Sequence, residues 1–164
     1  MLKKLLEANK EAKRLLTKNH SWNSLWVNYH KPYVERLWVQ WGEFRISLHK
    51  IYPCKKDEEL FHPHPWPMAS YILKGEYEMG VGYSQNSEIE PLLATRLIIS
   101  DGSSYEITNP NCWHYVRPIN DPSYSLMVTG KPWVNKPESK ALKLKPINPE
   151  RKVKLMSEFK KLII

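Results

Sequence analysis

The chain has 164 residues, of which 41% are hydrophobic and 12% aromatic, with thirteen prolines, six glycines and a net charge of +8. That length suits one domain with its own core, and the composition excludes an intrinsically disordered chain. The basic charge sits at the ends. Residues 1–20 hold six Lys/Arg against two Asp/Glu and residues 131–164 hold ten against three, whereas the stretch between holds nine against twelve. A nucleic-acid-binding core has the opposite pattern, so nucleic acid is not expected as the main ligand.

Residues 2–17 read as a helix. Leu2, Leu5, Leu6, Ala12, Leu15 and Leu16 recur at spacings of three and four, with Lys and Glu on the other face. Such a stripe covers the outer wall of a core. A membrane-surface helix is the alternative, and the lack of an aromatic anchor speaks against it. This charged N-terminus has no apolar h-region, so a signal peptide is not expected, and no apolar run approaches the ~20 residues of a membrane span. Cys54 and Cys112 have no metal-type spacing. They read as free thiols of a reducing compartment, and the expected location is the cytoplasm.

Residues 22–52 carry Trp22, Trp26, Tyr29, Tyr33, Trp38, Trp41 and Phe44 and read as several strands. Phe44, Ile46 and Leu48 alternate with Arg45, Ser47 and His49. The polar set either faces solvent or points into the interior of a ligand-holding barrel. Tyr77, Met79, Val81 and Tyr83 alternate in the same way, and residues 85–91 read as a loop. Leu97 to Ile99 form a short strand ending at Asp101-Gly102, a hairpin-type turn signal. Strands are expected at Tyr105 to Thr108, Trp113 to Arg117 and Tyr124 to Thr129. This many short strands argues for an all-β barrel or sandwich. Residues 131–149 are rich in Pro and Lys and read as an extended strap. Asn148 and Pro149 then open a terminal helix whose stripe is Val153, Met156, Phe159 and Ile163. The organisation expected is an N-terminal helix over 1–20, a barrel over 21–133, and the strap and C-terminal helix over 134–164.

The chemistry-bearing stretch is Phe61-His62-Pro63-His64-Pro65-Trp66-Pro67. On a strand, residues two apart share a face, so His62 and His64 project into one space and can chelate one ion. The prolines confine this run to an edge or a strand start and stiffen the ligands before a metal arrives. The alternative is a proline-stiffened loop with two incidental histidines. His114, on a later strand after a Pro-Asn turn, is the third candidate ligand.

Residues 44 to 133 resemble the cupin superfamily, small β-barrels that often hold a metal through an HxH pair and a later His. The first motif of that family runs H-x-H, three or four residues, Glu, six residues, Gly. Here His62-x-His64 is followed by Ser70 to Lys74 and Gly75, and counting back from Gly75 puts Met68 at the glutamate's place. Pro110-Asn111-Cys112-Trp113-His114 fits the second motif loosely, one residue short and without its glycine. Tyr124 to Gly130 resembles the closing strand of small cupins with an HxHPW core.

The resemblance implies an all-β, cupin-type barrel (a double-stranded β-helix) with both helices packed outside. It implies one divalent ion on His62, His64 and His114, Fe(II) by preference, with Zn, Ni or Mn as alternatives. Three-histidine cupins without the glutamate include thiol dioxygenases, so the implied function is a mononuclear metal-dependent enzyme, in one form an Fe(II) dioxygenase, acting on a small polar molecule. A non-catalytic metal- or ligand-binding module and a metal-independent isomerase or epimerase are the other readings, because one fold hosts many chemistries. Glu76, Glu78 or Glu106 could replace the missing carboxylate. Arg45, His49, Arg96 and Tyr71 are the candidate substrate-binding residues, an arginine clamping a substrate carboxylate, with Tyr105 and Trp113 as further wall residues. Cys112 is either a redox-sensitive neighbour of His114 or an inert buried thiol. Cupins are often dimers, and the aromatic segment 22–41 is either such an interface or core.

Overall fold

The computed structural model describes residues 1–18, 21–86, 88–133 and 144–163. Residues 134–143 of the expected strap lie outside them. Helix α1 spans Leu2–Thr17 and α2 spans Pro149–Ile163, with ten strands between: β1 Asn23–Val27, β2 Val34–Trp41, β3 Phe44–Ile51, β4 His62–Pro63, β5 Met68–Lys74, β6 Tyr77–Tyr83, β7 Thr95–Ile99, β8 Ser104–Ile107, β9 Cys112–Pro118 and β10 Ser123–Thr129. They form a six-stranded sheet in the order β1-β2-β3-β10-β5-β8 and a four-stranded sheet in the order β4-β9-β6-β7, with antiparallel pairing throughout.

Period-two alternation decides what each face of the larger sheet meets. Val39, Ile46, Val128 and Ala69 form one cross-strand row, and Leu37, Leu48, Leu126 and Tyr71 form the next. This outer face packs against Leu5, Ala8, Ala12, Leu15 and Leu16 of α1 and Leu155 and Phe159 of α2. The opposite rows, Trp38-Ser47-Met127-Ser70-Tyr105 and Arg36-His49-Ser125, face the other way. Both helices therefore lie on one side of the sheet, and the other side is left for a cavity. On β3, the polar set Ser47 and His49 is the one that turns inward, and both side chains are buried.

Each helix presents a stripe slightly rotated from the expected one. On α1 the buried set runs 5, 8, 12, 15 and 16, and Leu2 and Leu6 stay exposed. On α2 the buried residues are Leu155 and Phe159, four apart, while Val153 is 69% exposed. The buried line follows the i, i+4 ridge that meets the sheet. Helix α2 is also held by ions. Arg151 pairs with Glu35 of β2 and with Glu158 one helical stretch on, while Lys50 and the Tyr124 hydroxyl bond the same Glu158 carboxylate. Burial pushes the Glu158 carboxyl up, but the hydrogen bonds from Arg151, Lys50 and Tyr124 outweigh it and hold it at about 2.

The turns differ from expectation in one respect. Asp101-Gly102 is a tight turn, with Gly102 at φ +77° and Ser103 N–H bonded to the Ser100 carbonyl at 3.0 Å. It does not join a hairpin, because β7 pairs with β6 and β8 with β5, in different sheets. It is a corner at which the chain changes sheet. The tight two-residue hairpin lies at Gly42-Glu43, where Gly42 takes φ +56° and Trp41 faces Phe44. Of the aromatic segment, Trp22 is core, Trp26 and Trp41 pack against it, and Tyr29 and Tyr33 are exposed.

Candidate metal centre

The inner faces of the two sheets line a cavity of about 360 Å³. Its walls are residues two apart on successive strands: Val34 and Arg36, His49 and Ile51, Met68 and Ser70, His114 and Val116, Ser125 and Met127. His62, His64 and Trp66 come from the proline-rich run.

That run owes its shape to the absence of ladder donors at Pro63, Pro65 and Pro67. Only His62–Pro63 pairs as strand, with His62 directly opposite His114 on β9. The rest is held from outside the ladder. Gly130 N–H bonds the Pro67 carbonyl at 2.9 Å, Trp133 N–H the Pro65 carbonyl at 2.9 Å, and the Trp133 indole N–H the His64 carbonyl at 3.2 Å.

The structure brings His62, His64 and His114 together, with one ring nitrogen of each lying within 4.8 Å of the others. The ring centroids form a compact triangle, 5.2 Å for the two pairs that include His62 and 4.7 Å between His64 and His114. His62 donates Nδ1–H to the Leu60 carbonyl at 2.9 Å. A carbonyl can only accept, so Nδ1 carries the proton and Nε2 keeps its lone pair. His64 Nε2 and His114 Nε2 stand 2.6 Å apart, one donating to the other. Two imidazoles bound to one ion at ordinary metal–nitrogen lengths stand roughly 3 Å apart. Burial, reinforced by the charge of His62, holds the His114 imidazole well below its usual range, which keeps it neutral. Three imidazoles in a walled cavity fit a divalent transition ion, which binds the neutral form of each ring.

Among the described residues the cluster contains no carboxylate or thiol. Met68, at the motif's glutamate position, is 2% exposed and offers the cavity a thioether. The three alternative carboxylates are engaged elsewhere. Glu106 pairs with the N-terminal amine at 2.8 Å, Glu78 accepts from Tyr115 Oη at 2.7 Å and faces Arg117, and Glu76 lines a separate surface hollow near Asp101 and Asp121.

The candidate substrate residues separate. His49 is on the cavity wall and 6% exposed. Arg45 projects from the same face of β3 but lies beside the cavity lining, its guanidinium 4.6 Å over the Trp38 ring. Tyr71 is on the opposite face of β5, in the row that meets the helices, because its neighbour Ser70 takes the inward place. Arg96 is exposed on the edge strand β7 and donates Nε–H to Tyr115 Oη at 3.1 Å. Tyr105 lines the cavity and accepts from the Tyr77 hydroxyl at 3.0 Å, whereas Trp113 stacks on Phe61 outside it. Cys112 is buried with Ile107 and Met127, and burial raises its thiol.

Two wall residues had no place in the sequence reading. Arg36, the cross-strand partner of His49, lines the cavity. His30 reaches it from the loop after β1, its ring 6.2 Å from that of His62. For Arg36 a signal existed: counting outward from the Gly42-Glu43 turn sets it opposite His49.

No family model matches the chain, and no curated protein matches it. Solved structures do. An Fe(II)-HppE crystallised with the alternative substrate (S)-1-HPP superposes with a TM-score of 0.53 at 14% identity, over 66% of this chain and 56% of that one. Hydroxypropylphosphonic acid epoxidase from S. wedmorenis gives 0.50 at 12% identity, over 65% and 55%. Streptomyces albus HEPD with 2-hydroxyethylphosphonate and Fe(II) bound gives 0.51 at 12% identity, over 81% and 26%. The chain shares the fold of these proteins. It spans just over half the length of the first two. No described helix is long and apolar enough to cross a membrane.

Proposed function

We propose that this chain is a cupin-type β-barrel whose His62, His64 and His114 hold one divalent ion, Fe(II) by preference, and that it is an oxygenase-like enzyme for a small polar molecule. The observation that carries the reading is the convergence of three imidazole nitrogens within 4.8 Å at the wall of one cavity. The bound Fe(II) and small substrates of the HppE and HEPD structures support it at the level of fold. Ferrous iron on three neutral ligands supplies redox chemistry, Lewis acidity and open positions for small molecules.

The chain's own residues do the rest. Val27, Val34, Ile51, Leu60 and Val116 make the wall largely apolar, which strengthens polar contacts made against it. The Tyr77 and Tyr105 hydroxyls are hydrogen-bonded at 3.0 Å, and the Tyr105 ring lies 6.4 Å from that of His114. Burial raises both phenols, so they stay protonated. Both phenols also hydrogen-bond Ser70 on the same inner face, which ties the pair to the cavity wall.

Oxygen uptake by iron-loaded protein against a panel of small hydroxy, amino and thiol acids tests the reading. Uptake with at least one compound, abolished in His114→Ala, is expected. No uptake with any of them sinks the oxygenase assignment.

A further inference from the structure

The cavity holds an uncompensated positive charge away from the histidine cluster. Arg36 of β2 and His49 of β3 are direct cross-strand partners on the inner face, and both line the cavity. Arg36 Nε and His49 Nε2 are buried and have no hydrogen-bond partner. The carboxylate next along the chain, Glu35, projects to the other face, where Arg151 and Tyr52 bind it. Among the described residues no Asp or Glu lines the cavity. Burial and the nearby Arg45 charge hold the Arg36 guanidinium down to about 10, so it is still a cation at neutral pH. Burial and the Arg36 charge keep the His49 imidazole neutral, a ring that can donate one N–H.

Folded proteins seldom leave a buried guanidinium N–H and a buried imidazole nitrogen unpaired, because each costs free energy until a partner arrives. Here the partner must enter through the cavity. A guanidinium is a planar fork that matches a carboxylate with two parallel hydrogen bonds. One guanidinium lines the cavity, and a single lining cation matches one negative charge, which favours a carboxylate over a dianionic phosphonate. Arg45 does not add a second, since it lies outside the lining and its charge rests on the Trp38 and Trp66 rings. His30 lines the same cavity as Arg36 and His49, and its ring is 6.2 Å from that of His62.

We propose that Arg36 and His49 form the seat of a carboxylate group on the substrate, in the same cavity as the histidine cluster. In this arrangement Arg36 gives the bidentate contact and His49 a third hydrogen bond, and the rest of the molecule reaches past His30 toward His62, His64 and His114. The assignment rests on the proposed enzyme reading only in making the occupant a substrate.

Titration of metal-free, 15N-labelled protein with lactate, lactamide and methylphosphonate tests it, read from the arginine Nε–H resonances. Lactate is expected to shift the Arg36 resonance saturably, and lactamide to bind about tenfold more weakly or worse. Methylphosphonate is expected to bind more weakly than lactate. Arg36→Gln should weaken lactate about tenfold or more and Arg36→Lys less, since it keeps the charge but loses the fork. His49→Gln supplies a second variant that leaves the cation in place, and it should weaken lactate several-fold. Equal binding of lactamide, tighter binding of methylphosphonate, unchanged affinity in Arg36→Gln, or no saturable shift with lactate would each overturn the assignment. Because no metal is present, a negative result leaves the histidine centre untouched, and a failure of that centre to hold metal leaves the lactate response standing.

Discussion

A side chain kept for a ligand should weaken the ligand-free fold, and Arg36 offers a direct way to see this. Replacing it with Met keeps a long, flexible stem and removes the charge. Holding a guanidinium down to about 10 corresponds to a penalty on its charged form of about 3 kcal/mol at neutral pH. The sign follows from linkage: a base whose folded pKa is lowered carries its full penalty below that value, and the penalty fades only as pH rises above it. Part of this is offset by packing that the arginine stem makes and Met does not reproduce. The expected gain is therefore roughly 1–3 kcal/mol, or about 2–10 °C in Tm for a chain of this size. Calorimetry of metal-free protein between pH 6 and pH 9 should show a constant advantage for Arg36→Met, shrinking above about 10. A lower Tm in the variant would mean that Arg36 has a partner in the folded chain and is not held for a ligand.

Two further expectations concern what holds α2. Glu158, held at about 2 by Arg151, Lys50 and Tyr124, contributes stability that is full above the usual glutamate range and lost as pH falls through about 2. Acid unfolding of Glu158→Gln should therefore be shallower than that of the parent between pH 4.5 and pH 2, and parallel curves would contradict the network. Phe159 is fully buried between α2 and the sheet, so Phe159→Ala should cost about 3–5 kcal/mol in denaturant unfolding. A loss under about 1 kcal/mol would mean that α2 is not part of the cooperative core.

The parts of the site legible in the sequence are those that repeat a local pattern. The i, i+2 spacing of His62 and His64 points to a shared space, with a proline-stiffened loop as the alternative, and the turn before His114 puts that residue on a strand. Cavity residues on neighbouring strands were harder, because their relation is one of register. Ser70 and Tyr71 are adjacent and both suit a strand, and a one-residue choice sends one to the cavity and the other to the helices. Arg36 was hidden because β2 does not alternate cleanly: Glu35 is charged yet faces the helix side, where Arg151 of α2, more than a hundred residues away, neutralises it. Arg96 opens a strand as an inward arginine would, but β7 is an edge strand with most of its residues exposed, which no local pattern reveals. The helix stripes were off by a fraction of a turn for a similar reason: Leu6 and Val153 are apolar but lie on the side away from the sheet.

The most direct test is metal content. Protein purified without chelator and reconstituted anaerobically with Fe(II) should carry about one equivalent by elemental analysis, and His62→Ala, His64→Ala and His114→Ala should each retain little while remaining folded. Protein that takes up no ion, or variants that bind it as fully as the parent, would contradict the three-histidine centre.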